Sequence, residues 1–234
     1  MKYRLFAAVA ALLIVSCAKE NTPEPVNSLG EIITIKAGTE GQNAESKTLR
    51  DESDGSVLWA PDDRISVFWG SGTEGGSEFI SQNTENATVA DFTGRLDLSG
   101  GDSGSNYFWG IYPYDASNEC DGECVTLAVP TTQAAIPGTF APVAFPSMGR
   151  SQGLQMGFYN VCAGLRIKVK KEGVKRVIMV SHDGPVAGRA KVAFDGEGRP
   201  AVQEIIDGSY HHTRSGLWRE SDTRGKLLLC ALST

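Results

Sequence analysis

Histidine, long apolar runs and helical periodicity are what this chain lacks. It has three histidines in 234 residues. His211 and His212 are adjacent, and neighbours on an extended chain point to opposite faces, so even with Asp207 nearby they converge poorly on a metal. His182 has no partner in sequence. No Gly-x-Ser-x-Gly turn is present to expose a nucleophile. Asp62 and Asp63 are also neighbours, so they do not face each other across a cleft as glycoside hydrolysis requires; they read as the turn before a strand at Arg64. The loop from Gly70 to Gly76 is glycine-rich, but no helix follows it and Glu74 has the wrong sign for a phosphate cradle. These absences leave no catalytic constellation, no cofactor site and no metal site. Positive charge is not in excess either. With 22 Lys and Arg against 28 Asp and Glu, the chain lacks the cationic surface that neutralises phosphates, which argues against nucleic acid as a partner.

What is present begins at the first residues. Lys2 and Arg4 precede an apolar run of 11 residues, Leu5 to Val15, closed by Ser16-Cys17. That is the layout of a secretory leader, and it is well short of the roughly 20 apolar residues a spanning helix needs. Ile14-Val15-Ser16-Cys17 resembles a lipobox, which predicts residues 1–17 as a lipoprotein signal with Cys17 as the acylated anchor. Each buried acyl CH₂ contributes about 0.8 kcal/mol, so more than one chain holds a protein on a membrane without a span. Loss of Lys2 and Arg4 with the leader moves the formal charge from −6 to −8, so attachment rests on the lipid and not on a basic patch. Residues 18–30 are polar, carry Pro23 and Pro25, and read as a tether.

Beyond the tether, short segments alternate apolar and polar residues between Gly, Asn and Asp. Ile65, Val67 and Trp69 alternate with Arg64, Ser66 and Phe68. Val125, Leu127 and Val129 form a second set, Leu165, Ile167 and Val169 a third, and Ala190, Val192 and Phe194 a fourth. Period 2 predicts strands with one face buried and one wet. Two runs, Tyr107 to Tyr112 and Val177 to Val180, read as strands buried on both faces. With 27 Gly and 10 Pro and no helical stripe, the class is all-β, with a sandwich as its architecture. An exported chain permits disulfides. Cys120-Asp-Gly-Glu-Cys124 spans a hairpin turn signal, and two states stay open: a local disulfide or two free thiols. Trp59, Trp69, Tyr107, Trp109, Tyr112 and Tyr114 lie within strand periodicity and read as core. Exposed on one face, they would instead suit sugar rings and make the chain an outer-membrane glycan-binding lipoprotein.

Several landmarks occur in an order seen elsewhere. Val57-Leu58-Trp59-Ala60-Pro61-Asp62-Asp63-Arg64-Ile65-Ser66-Val67-Phe68 resembles the "VLW…GDRISVF" segment of the fimbrillin-like proteins of Bacteroidales. Asp91-Phe92-Thr93-Gly94, Phe108-Trp109-Gly110-Ile111-Tyr112-Pro113-Tyr114, Val129-Pro130-Thr131-Thr132-Gln133 and Phe158-Tyr159-Asn160-Val161-Cys162-Ala163-Gly164-Leu165 are similar to later segments of that family. The likeness runs from about residue 31 to about residue 204. It implies a transthyretin-like β-sandwich over 31–155 and the start of a second β-sandwich over 156–204. It also implies a lipid-anchored protein of the cell outer membrane and fimbrium, with other fimbrial subunits as partners by β-strand addition and a host or glycan ligand as an adhesion target. In such pili a cut after a basic residue removes the first strand, and a donor strand takes its place. Glu31 to Ala37, with Ile33 and Ile35 facing one way, matches the removable strand, and Arg50 is the expected cut site. From 205 to 234 the likeness stops and the tail has no period-2 alternation, which predicts a truncated or frame-shifted product.

Overall fold

The computed structural model describes residues 30–39, 49–50, 57–70, 76–98, 106–134, 144–168, 174, 176–182, 184–209, 211–215 and 226–232. Among them the secondary structure is almost wholly strand, so the all-β class is what the structure shows. Seven strands close into a barrel: Glu31–Thr39 (β1), Arg64–Trp69 (β4), Ser77–Ser81 (β5), Val89–Leu96 (β6), Phe108–Tyr112 (β7), Ser147–Ser151 (β11) and Gln155–Asn160 (β12). Their order around the wall is β1-β12-β11-β7-β4-β5-β6, and β6 pairs back onto β1. Closure removes the unpaired edges that an open sheet would leave. Alternation along each strand sends Ile33, Ile35, Ala37, Ile65, Val67 and Phe92 inward. Trp59 fills the centre, edge-on to Phe92, Tyr112 and Phe158 at centroid distances of 5.0, 5.4 and 5.2 Å. Gly110 is required here, because a Cβ on it would lie 2.5 Å from the Phe158 ring and 2.7 Å from the Met156 sulfur.

A second sheet lies on the outside of this wall. It contains Glu119–Cys120 (β8), Val125–Val129 (β9), Ala187–Phe194 (β15) and Pro200–Ser209 (β16), in the order β16-β15-β9-β8. Val125, Leu127, Val129, Ala187, Ala190 and Val192 pack against Phe68, Trp109, Ile111 and Met148 of the barrel. The architecture is therefore two packed layers, one of which closes on itself. β4 and β7 sit between the two cores. Every residue of β7 is buried, as the continuous run Tyr107 to Tyr112 predicts. In β4 the face expected to be wet is covered, with Ser66 and Phe68 buried alongside Ile65 and Val67. The buried Ser66 hydroxyl accepts from Asn118 Nδ2 at 3.0 Å, and the same amide donates to Pro113 O at 3.1 Å, so the polar pair is satisfied.

Three smaller pairings complete the description. Leu49–Arg50 (β2) pairs with Val57–Leu58 (β3). Thr132–Ala134 (β10), His211–Ser215 (β17) and Arg176–Val180 (β14) form a sheet in the order β10-β17-β14. Cys162–Lys168 (β13) pairs with Lys226–Leu232 (β18). Val177 to Val180 differs from expectation. β14 is an edge strand, and Ile178 and Val180 are 53% and 48% exposed, because among the described residues no second layer covers that side as it does at β7. In β13 the side chains of the alternating residues Leu165 to Lys168 lie outside the described residues.

Strands from both sides of residue 155 interleave. β12 pairs with β1 and β11, and β15 pairs with β9. The tail also contributes strands despite its lack of alternation. β16 runs through Glu204 to Ser209, β17 pairs with β14 over five positions, and β18 pairs with β13 over seven. Backbone hydrogen bonds make these ladders, so a partner strand can order a segment whose side chains do not alternate.

Candidate functional site: the closing strand of the barrel

The barrel closes through β1. Ile33, Ile35 and Ala37 supply its buried face. Its outer face carries Ile32, Thr34 and Lys36, and Ile32 is 66% exposed. On one flank β1 runs antiparallel to β6 through eight residue pairs, Glu31↔Leu96 to Gly38↔Val89. On the other it runs parallel to β12 through four, Lys36↔Gln155 to Thr39↔Phe158. Side chains tie β1 to β6. Thr34 and Thr93 share a hydroxyl hydrogen bond of 2.9 Å, and Lys36 Nζ lies 3.7 Å from Asp91 Oδ1. Arg95 Nη1 donates to Gly30 O at 3.4 Å. The Lys36–Asp91 pair is exposed and adds little. Gly30, at φ 51°, begins the strand in a conformation that disfavours side chains, and a Cβ there would lie 2.7 Å from the Leu96 backbone. The hold on β1 is therefore mainly apolar burial and the β6 ladder.

Arg50, the expected cut site, lies on the chain after β1, and its backbone pairs with Val57; its side chain lies outside the described residues. Cys17 lies outside them as well. For Cys120 and Cys124 the structure holds two free thiols, not a disulfide. The register gives the reason. Cys120 faces Val125 across the hairpin, and Cys124, next to Val125, projects to the opposite face. The Cys120 thiol packs into the inter-sheet core and donates to Gly70 O at 3.7 Å. Burial first, then Asp121 and Cys124 nearby, pushes its pKa up to about 12 against a backbone hydrogen bond from Gly122. A thiol held protonated is inert as a nucleophile.

Asp62 and Asp63 form the turn expected of them. Asp62 has φ 62°, and Asp63 N–H donates to Ala60 O at 3.3 Å. Asp63 accepts from Ala60 N–H at 2.7 Å and from the Tyr112 hydroxyl at 3.3 Å. Burial raises the pKa of this carboxyl, and the two hydrogen bonds oppose the rise. Asp62→Gly frees the left-handed position from its Cβ penalty. The expected gain is about 0.5–1 kcal/mol, read as a higher denaturant midpoint at unchanged slope; an unchanged or lower midpoint rejects the account of this turn.

The aromatic residues read as core divide in two. Trp59, Trp109 and Tyr112 are buried, while Trp69, Tyr107 and Tyr114 are half-buried. They do not form one exposed face. A cleft of about 140 Å³ lies between Tyr112, Pro113, Tyr114, Leu127, Pro130 and Pro146. Its polar groups are engaged locally: Asp115 Oδ1 accepts from the Ser117 N–H and hydroxyl, and Asn118 holds Ser66. Asp207, near the histidine pair in sequence, accepts the Arg189 N–H at 2.6 Å beside a bulge between β15 and β16. The side chains of His211 and His212 lie outside the described residues. Among the described residues no three His, Cys, Asp or Glu gather as a metal site would require, and no helix is long and apolar enough to cross a membrane.

One cluster was not legible in the sequence. The Arg150 guanidinium lies over Tyr107, Trp109 and Phe194 at 4.8, 5.2 and 5.0 Å. It clamps barrel strands β7 and β11 to the end of β15 by cation–π attraction. The pairing Arg150↔Trp109 across β11 and β7 brings these residues together, and no local motif announces it.

These features define an all-β protein whose main sheet is closed by its first described strand. No protein-family model, curated protein or solved structure matches the chain.

Proposed function

We propose that the chain is a structural or anchoring subunit of a cell-surface fimbria of the type V pilus kind, assembled by donor-strand exchange and supporting adhesion. The observation that carries this reading is β1. One contiguous segment at the start of the described residues supplies Ile33, Ile35 and Ala37 to the core and closes the barrel between β6 and β12. Its departure would open a groove beside Phe92 and Phe158, with two strand edges ready to pair. An extended segment of another subunit fits such a groove by β-augmentation: main-chain hydrogen bonds give affinity and alternate apolar side chains give register. A cut after Arg50 separates β1 from everything that follows it. Acylation of Cys17 would hold the uncut precursor at the outer membrane. The glycan-binding alternative draws less support, because its aromatics are divided between buried and half-buried positions.

The test treats the purified chain with an Arg-specific protease. The expected result is loss of the segment carrying β1 together with ladders that survive SDS. A chain that is cut at Arg50 and stays monomeric overturns the exchange reading.

A further inference from the structure

We infer that the seam between β1 and β12 is a built-in release line, kept weak by Gly38 and Gly157, so that β1 parts from β12 before it parts from β6. The seam differs from the one between β1 and β6 in three ways. It is the parallel pairing in a wall of antiparallel ones, and parallel ladders are slightly weaker per residue. It has four residue pairs against eight on the β6 side. The register also sets Gly38 opposite Gly157, so one of the four positions has no side chain on either strand, whereas on the β6 side Gly38 faces Val89 and Gly94 faces Ile33.

Packing does not demand these two glycines. Ala37, Met156 and Phe158 point into the barrel, so Gly38 and Gly157 face outward. Among the described residues a Cβ on Gly38 would meet nothing within 4 Å, and one on Gly157 would rest 3.7 Å from the Tyr159 ring, an ordinary contact. Gly94, on the β6 side, is the opposite case, with a Cβ 2.4 Å from the Phe79 ring. Glycine inside a strand weakens it, and of the two seams of β1 only the one with β12 sets glycine opposite glycine. The side-chain ties fall on the other, through Thr34–Thr93 and Lys36–Asp91.

Amide direction completes the picture. Lys36 N–H bonds Leu154 O on the β12 side at 2.8 Å. Alternation then turns Ile35 and Ala37 toward β6, and Ile32 and Thr34 toward the β12 side, ahead of Gln155, where β12 begins. β1 thus opens as a flap hinged on β6, baring the edge of β12 while Ile33 and Ile35 are still attached to the β6 side. On the strand-exchange reading above, which this inference deepens, that edge is where an incoming strand begins to pair.

The test is residue-resolved hydrogen exchange on the full uncut chain, which reads local opening directly. The Lys36 amide is expected to exchange about tenfold faster than those of Ile35 and Ala37, its neighbours in the same strand. Gly38→Val with Gly157→Thr should slow Lys36 by about tenfold and leave Ile35 and Ala37 within about twofold, with no loss of melting temperature. Lys36 exchanging as slowly as its neighbours, or unmoved by the two substitutions in a folded chain, overturns the release line. Neither measurement involves cleavage or assembly, so a failure of the exchange reading would show separately, as cut chains without ladders.

Discussion

Trp59→Ala lowers the stability of the chain by about 3–5 kcal/mol, the range for truncating a large buried aromatic side chain. Trp59 is buried at the barrel centre and touches three rings edge-on, and such pairs contribute beyond the area they bury. Phe92, Tyr112 and Phe158 come from three different strands, so their collapse into the vacancy is opposed by the closed wall. The indole N–H has no hydrogen-bond partner among the described residues, so the loss is one of packing and not of a polar contact. The backbone bonds of Trp59 with Ala87, at 2.7 and 3.0 Å, survive the substitution. Chemical denaturation of the two chains measures the difference. A loss under about 1.5 kcal/mol, the cost of a volume-conserving swap, shows that the barrel interior is not packed as described.

Ile35→Asp is more severe, and Ile32→Asp nearly silent, although the two residues lie three apart on one strand. Ile35 points into the barrel and is fully buried. An unpaired carboxylate there costs several kcal/mol even after relaxation, and β1 escapes that cost by leaving the wall. Ile32 is exposed and lies opposite Arg95, so a carboxylate meets water and a cation, within about 0.5 kcal/mol of the parent. Limited proteolysis of β1 and binding of a hydrophobic dye report the opening. Ile35→Asp is expected to lose β1 first and to bind dye while the second sheet is still folded. Equal behaviour of the two variants would show that β1 is not the closing strand.

The strands were legible where alternation is local. Val125, Leu127 and Val129 are buried as their spacing implies, and the continuous run at β7 is buried on both faces. The run Val177 to Val180 is also continuously apolar but lies at an edge with Ile178 and Val180 exposed, because an apolar run cannot say whether a second layer exists to cover it. Ser66 and Phe68 show the converse. Their strand alternates as a half-wet strand does, yet β9 and β15 cover the side expected to face water. The two cysteines were left open by their spacing, and the hairpin register decided for free thiols by placing them on opposite faces.

The candidate site was partly legible for the same reason. Glu31 to Ala37 reads as a strand with Ile33 and Ile35 on one face, and so it is. Its role in closing a barrel does not follow from those residues, since its partners β6 and β12 lie far along the chain and closure is a property of all seven strands together. The amino-acid order by itself determined the all-β class, the inward face of β1 and the turn at Asp62-Asp63, because each depends on residues within a few positions of one another. Only the tertiary structure decided which strand closes the wall, which faces receive a second layer, and that Gly38 meets Gly157, because these are pairings between distant segments that backbone hydrogen bonds and burial settle jointly.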